Sequence, residues 1–214
     1  MDSQEKVIMN DGAVHASKAA TSKAKRALDL AVALVALLLL SPVFVLIAVA
    51  VKLSSPGPVL FKQKRSGLNG MPFEIYKFRS MKVHSEEGTV TQAKKNDDRI
   101  TRIGRFIRRT SLDELPQFIN VLRGEMSVVG PRPHALAHDE YYGKQVNNYS
   151  VRLLVKPGIT GLAQITGHRG ETETIEKMKK RIDVDIKYVL EWSLLMDIKL
   201  IVLTPLSLFD SKAY

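Results

Sequence analysis

Leu30 to Val51 reads LAVALVALLLLSPVFVLIAVAV, an apolar run without one charged residue. At about 22 residues it matches the roughly 20 that span a bilayer core. It is too long for the apolar core of a signal peptide, it starts deep in the chain, and no small-residue cleavage site precedes Lys52. Length alone favours an ordinary spanning helix. Two features argue against a straight one. Both flanks are basic, with Lys18, Lys23, Lys25 and Arg26 before the run and Lys52, Lys62, Lys64 and Arg65 after it. A span should have one basic flank and one poor one, so two basic flanks place both ends on the cytoplasmic side. Pro42 sits mid-run, where it removes a backbone hydrogen bond and bends a helix. Each half holds about 11 residues, or ~16 Å, too little to cross alone. A helix that enters one leaflet, bends at Ser41-Pro42 and returns satisfies both features, with Ser41 capping a carbonyl freed by the proline. A kinked span remains the other solution.

The remainder fills one domain. The chain has 214 residues, no cysteine and a formal net charge of +10. Disulfides and thiolate metal sites are therefore excluded. The charge favours anionic partners: phosphorylated small molecules, lipid headgroups or nucleic acid. Nucleic acid is set aside, because the apolar run argues against it and the few aromatics form no stacking pattern.

Three parts are expected: a mobile polar tail over 1–22, a membrane helix pair over 23–52, and a cytosolic, membrane-associated domain over 53–214. The fold class is α+β and mostly helical. Val59–Gln63 and Phe73–Phe78 read as a strand hairpin around Gly67-Leu68-Asn69-Gly70. The segment 84–98 reads as a loop. Ile100, Ile103, Phe106 and Ile107 alternate with arginines from Arg99 to Arg109, giving a basic amphipathic helix. A second helix is expected from about Asp113 to Leu122, ending near Gly124. Gly130-Pro131-Arg132-Pro133 and Pro157-Gly158-Ile159-Thr160-Gly161 read as loops. A charged helix covers Glu171 to Leu190. Trp192 to Leu203, with Asp197 and Lys199 at one edge, is either a helix in the membrane interface, Trp192 at headgroup level, or a core helix.

The chemistry concentrates at Arg108-Arg109-Thr110-Ser111-Leu112-Asp113-Glu114-Leu115-Pro116-Gln117. Ser111 and Glu114 have the spacing of a capping box. Pro116 fits better if the helix starts at Leu112 or Asp113. Either start puts Asp113 at a helix N-terminus, which favours its ionised form and a bound phosphate. Adjacent helical carboxylates point about 100° apart and can divide two roles, one attacking and one holding a metal. Magnesium prefers one or two carboxylates with phosphate oxygens and water. An ionised Asp is a competent nucleophile towards a phosphoryl group when cations offset the repulsion. Lys77, Arg79, Arg108, Arg109 and Arg132 are the candidates, each with an alternative as a solvated charge. Arg132 leads, because Pro131 and Pro133 stiffen its loop and a guanidinium fork suits phosphate. His134 and His138 are four apart but lack the carboxylates of a usual metal site.

SPVFVLIAVAVKLSSPGPVLFKQKRSGLNG, IYKFRSM, RRTSLDELPQFINVLRGEMSVVGPRP and VKPGITGLAQITG resemble the bacterial sugar transferase family, the monotopic polyprenyl-phosphate phosphoglycosyl transferases. The likeness covers roughly residues 24–204. The C-terminal part is most similar to the branch that loads glucose-1-phosphate, and the chain resembles that branch's minimal catalytic unit. The resemblance implies that Asp113 attacks the β-phosphate of a UDP-sugar, that Glu114 holds Mg²⁺, and that undecaprenyl phosphate accepts the phospho-sugar. Lys77, Arg108 and Arg132 match positions near the phosphates, and Ser41-Pro42 matches the break of a re-entrant helix. It implies a cytoplasmic-face location at a bacterial inner membrane and a role in exopolysaccharide or capsule synthesis. UDP-galactose or a UDP-N-acetyl sugar is the alternative donor, and a homo-oligomer would form through the C-terminal helices. The alternative of another class is a membrane-anchored polybasic binding module without chemistry, which does not require Asp113-Glu114 beside Arg108-Arg109.

Overall fold

The computed structural model describes residues 18–82, 97–168, 170 and 174–207. The proposed loop over 84–98 lies outside them except for 97–98, as does most of the tail. Residues 18–21 are helical and Ala19 is buried.

Helix α1 (Lys23–Leu39) and helix α2 (Ser41–Ser54) meet at a 63° bend. Ser22 caps α1 by accepting from the Lys25 amide. Pro42 cannot donate to the carbonyl four residues back, that of Leu38. The Ser41 hydroxyl donates to it instead, at 2.8 Å. The expected cap at the break is therefore present. Among the described residues no single helix is long and apolar enough to cross a membrane, and this bent pair passes the test only as a pair.

Strands β1 (Leu60–Ser66) and β2 (Pro72–Phe78) form the expected antiparallel hairpin, each longer than its apolar run, because the tight turn over 68–70 lets pairing extend to Ser66 and Pro72. Helix α3 (Arg102–Arg109) is the basic helix, capped by Thr101. A 3-10 turn (Leu112–Glu114) and helix α4 (Gln117–Arg123) follow, and Gly124, at φ 80°, ends α4. Two short strands the sequence did not signal lie at the Gly/Pro loops, one just before the first and one within the second. Strand β3 (Ser127–Val129) pairs in parallel with β4 (Gly158–Thr160). Three-residue strands show no alternation to read. Their close approach depends on Gly130, where an added Cβ would lie 2.4 Å from the Lys156 carbonyl oxygen.

Helix α5 (Leu136–Gly143), a 3-10 segment (Tyr149–Leu154) and the short helix α6 (Leu162–Ile165) lead to α7 (Ile175–Glu191) and α8 (Leu194–Ser207). The result is α+β and mostly helical, with two two-stranded sheets among the described residues.

Two apolar clusters position the site. The larger joins Ala33 of α1 to Val121, Val128, Val129, Tyr188 and Leu200, so the first half of the apolar pair packs into the domain. The second joins Ile47 and Val51 of α2 to Phe78, Ile107, Leu112 and Leu115. Leu112 and Leu115 bracket Asp113-Glu114, so α2 supports the turn carrying the dyad. Beyond these contacts the pair is bare: Leu38, Leu39, Leu46 and Leu53 are each at least 70 % exposed. Helix α8 is divided in the same way. Asp197 and Leu200 are buried, while Leu195, Val202 and Leu206 are exposed, so it is core on one face and apolar surface on the other. Trp192 does not stand out from the surface. It packs against the larger cluster and donates Nε1 to Asp197 at 3.0 Å.

Candidate active site

The dyad lies in the 3-10 turn and not in the first turn of an α-helix. Ser111 is left-handed, at φ 57°, and makes no side-chain cap bond. The capping box is thus not formed: the Ser111 amide donates to the Arg108 carbonyl at 3.1 Å, and the Glu114 carboxylate is held by Lys77 and Arg132. Pro116 has no N–H to continue the turn, and α4 restarts at Gln117. Asp113 therefore lacks the helix end that was expected to keep it ionised. Burial, and after it the neighbouring Glu114 charge, push its carboxyl up to about 6, against the opposing pull of Lys77, Arg108 and Arg132.

Glu114 has the opposite environment. Lys77 Nζ donates to Oε1 at 2.8 Å, and Arg132 donates to Oε1 at 2.5 Å and to Oε2 at 3.1 Å. Arg132 and Lys77 hold Glu114 well below the ordinary carboxylate range despite its burial. Burial pulls Lys77 below the usual lysine value, with Glu114 opposing. Two adjacent carboxyls pushed apart in this way suit separate roles.

Each cation reaches the dyad through its element. Lys77 is on β2, whose neighbouring Tyr76 amide donates to the buried Asn120 of α4 at 3.0 Å. Arg132 follows β3. Arg152 donates to the Arg132 carbonyl, and Arg65 donates to that of Pro133 at 3.4 Å. Arg65 and Arg181 are both pushed down to about 10, by burial first and by Arg132 next, which marks how much positive charge gathers around this loop. Arg152 is itself tied to Asp185 at 3.0 Å.

Not every candidate arrives. Arg108 acts on Asp113 through its charge and touches Met81. Arg109 is exposed, and no contact joins it to the dyad. Arg79 is elsewhere: it is buried and donates to the carbonyls of Val51, Ser55 and Pro56 at 3.3, 2.6 and 2.9 Å. These include the open end of α2, so Arg79 is a C-terminal cap and not a phosphate ligand. His134 is buried with Nδ1 2.7 Å from the Tyr149 hydroxyl, and among the described residues no group of three His, Asp or Glu side chains is placed to hold a metal.

A metal would instead share the dyad with substrate. A carboxylate offers about four lone-pair positions. Glu114 uses two at Oε1 and one at Oε2, which leaves one at Oε2. That donor, with substrate phosphate oxygens, fits the preference of Mg²⁺.

A sequence profile of the bacterial sugar transferase family matches residues 20–211. The chain belongs to the bacterial sugar transferase family. It is 59% identical over 189 residues to the UDP-glucose:undecaprenyl-phosphate glucose-1-phosphate transferase of Escherichia coli (strain K12), covering 88% of this chain and 41% of that one. It is 51% identical over 191 residues to a protein of the same name from Caulobacter vibrioides, covering 89% and 72%. It is 49% identical over 187 residues to the exopolysaccharide production protein PSS of Rhizobium leguminosarum bv. phaseoli, covering 86% and 94%. The chain thus spans about two fifths of the length of the first relative and nearly all of the third. Both the bent helix pair and the dyad lie within the stretch shared with the family.

Proposed function

We propose that this bacterial sugar transferase moves a hexose-1-phosphate, glucose-1-phosphate first among them, from a UDP-sugar to undecaprenyl phosphate, releasing UMP. The observation that carries this reading is the buried dyad, Asp113 beside a Glu114 fixed between Lys77 and Arg132. The names of the relatives point to UDP-glucose and undecaprenyl phosphate.

Ionised Asp113 attacks the β-phosphorus. The bond from that phosphorus to the bridging oxygen breaks, and its electron pair leaves with UMP. The aspartyl phospho-sugar is then attacked by an oxygen of undecaprenyl phosphate, which forms the lipid diphosphate-sugar and returns Asp113 as a carboxylate. Arg108 and Arg132 offset the repulsion between anions as Asp113 approaches. Lys77 and Arg132 hold Glu114 in one orientation. Mg²⁺ at the open position of Glu114 Oε2 would neutralise diphosphate charge when bound.

The lipid acceptor requires a site at the bilayer surface. The bent pair dips into one leaflet from the cytoplasmic face of a bacterial inner membrane and returns. Its support is the 63° bend, the exposed leucines and the capped Leu38 carbonyl, which hydrocarbon could not satisfy. Helix α8 lies along the interface with Leu195, Val202 and Leu206 towards lipid.

UMP release from UDP-glucose with Mg²⁺ and undecaprenyl phosphate in detergent tests the proposal. Release by the parent chain and none by Asp113→Asn supports it. Release only from another UDP-sugar corrects the donor, and none from any nucleotide sugar overturns the enzymatic reading.

A further inference from the structure

A buried polar cluster lies behind the loop that presents Arg132. Lys25 of α1, Tyr188 of α7 and Asp197 of α8 are each no more than 6% exposed. Lys25 Nζ donates to Asp197 Oδ2 at 2.6 Å and to the carbonyl of Val129 at 3.0 Å. The Tyr188 hydroxyl lies 2.8 Å from Asp197 Oδ1 and 3.1 Å from the Val129 carbonyl. Its single proton serves one of them, and the carboxylate is the stronger acceptor. Lys25 is then the charged donor that holds Val129.

Val129 ends β3, three residues before Arg132. One turn along α1 from Lys25, Asp29 accepts from the Ser127 hydroxyl and the Val128 amide, both at 2.9 Å. All three residues of β3 are therefore gripped by α1. Beyond them the carbonyl of Pro131 accepts from the Gly158 amide at 2.9 Å, and that of Arg132 accepts from Arg152. The membrane-facing elements, α1 and α8, thus converge on the rear of the loop whose front pairs with Glu114.

A buried ion pair seldom stabilises a fold better than apolar residues of similar size would. Lys25 and Asp197 do something an apolar pair cannot, since they supply a fixed donor to Val129. We infer that Lys25 and Asp197 are a positioning pair, which sets the place of the Arg132 guanidinium through the Val129 carbonyl and couples the seating of α1 and α8 to the phosphate-handling loop. This rests on the role proposed for Arg132.

The test compares UMP release and thermal melting for the full chain, the paired variant Lys25→Met/Asp197→Leu, the mild variant Tyr188→Phe, and each of these on an Arg132→Lys background. The paired variant removes both partners at once and should lose less stability than either single change, although the buried Asp29 also loses the nearby Lys25 charge. Its kcat per folded molecule should fall roughly 10- to 100-fold, the cost of misplacing a group that meets the transition state. Tyr188→Phe should lose about 3-fold, by loosening Asp197. On the Arg132→Lys background, where the fork is already gone, the same changes should cost less than about 2-fold, because residues acting through one another are not additive. A folded paired variant at the parental rate, or an undiminished loss on the Arg132→Lys background, overturns the inference. If the paired variant does not fold, a parental kcat for Tyr188→Phe overturns it. A parental rate for Arg132→Lys alone instead overturns the role given to Arg132, and the inference falls with it.

Discussion

Arg132 grips Glu114 with two guanidinium nitrogens, at 2.5 and 3.1 Å, and leaves the adjacent Asp113 under the influence of its charge alone. Two neighbouring carboxyls of the same turn are driven apart: burial, and next the Glu114 charge, raises Asp113, while Arg132 and Lys77 hold Glu114 down. One is locked as an anion. The other stays close enough to neutral pH to change state within it.

That difference predicts a pH profile. Asp113 is raised from 3.8 to about 6 in the folded chain. Below that value it is protonated and cannot attack, so the rate of UMP release should climb as pH rises through about 6. Stability runs the other way. Between 3.8 and about 6 the folded chain binds more protons than the unfolded one, so stability falls as pH rises across that window. Asp113→Asn should therefore abolish release yet raise stability at neutral pH by an amount on the order of 1–3 kcal/mol, seen as a higher melting temperature. A variant that melts lower than the parent would contradict this.

Glu114→Gln should behave differently. It removes the anion between Lys77 and Arg132 and leaves two largely buried cations unmatched, a cost of about 3 kcal/mol. The sign with pH is also reversed. The carboxyl is depressed in the folded state, so its contribution is present above its ordinary value and is lost as pH falls through the depressed one. Chemical denaturation of parent and variant at pH 7 and at steps below 4.5 should show a constant gap down to about 4.5 and a narrowing one below it.

Arg79 separates a cap from a ligand. Arg79→Met should strip a charged donor from the carbonyls of Val51, Ser55 and Pro56, costing roughly 2–4 kcal/mol of stability. Among molecules that remain folded, the KM for UDP-sugar should be unchanged. A KM raised several-fold with unaltered melting would restore Arg79 to the phosphate site.

The bend can be tested as topology. Ser41→Ala/Pro42→Ala supplies the missing N–H and removes the cap, which lets α1 and α2 fuse into one helix long enough to span a bilayer. The chain has no cysteine, so a single cysteine placed at Lys18 reports its side of the membrane without interference. In the parent it should react with impermeant thiol reagents only from the cytoplasmic side. In the double variant a fraction should react from the opposite side, and no change would count against a re-entrant pair.

Where the signal was local, the sequence determined the outcome. Pro42 lacks a hydrogen whatever surrounds it, and the only hydroxyl beside it is that of Ser41. The hairpin, the basic helix and the stop at Gly124 likewise follow from short-range pattern and backbone chemistry. The adjacency of Asp113 and Glu114 was legible, and so was the candidacy of Lys77 and Arg132. The difference between the two carboxyls was not, because it is set by burial and by cations arriving from β2 and the end of β3, 37 and 18 residues away along the chain. Arg79 and Arg132 look alike as letters, yet one caps α2 and the other meets Glu114. Lys25 and Asp197 read as flank charges on apolar helices until packing buries them 2.6 Å apart. Local chemistry writes itself into neighbouring residues. Desolvation and charge pairing depend on distances that only the folded chain creates.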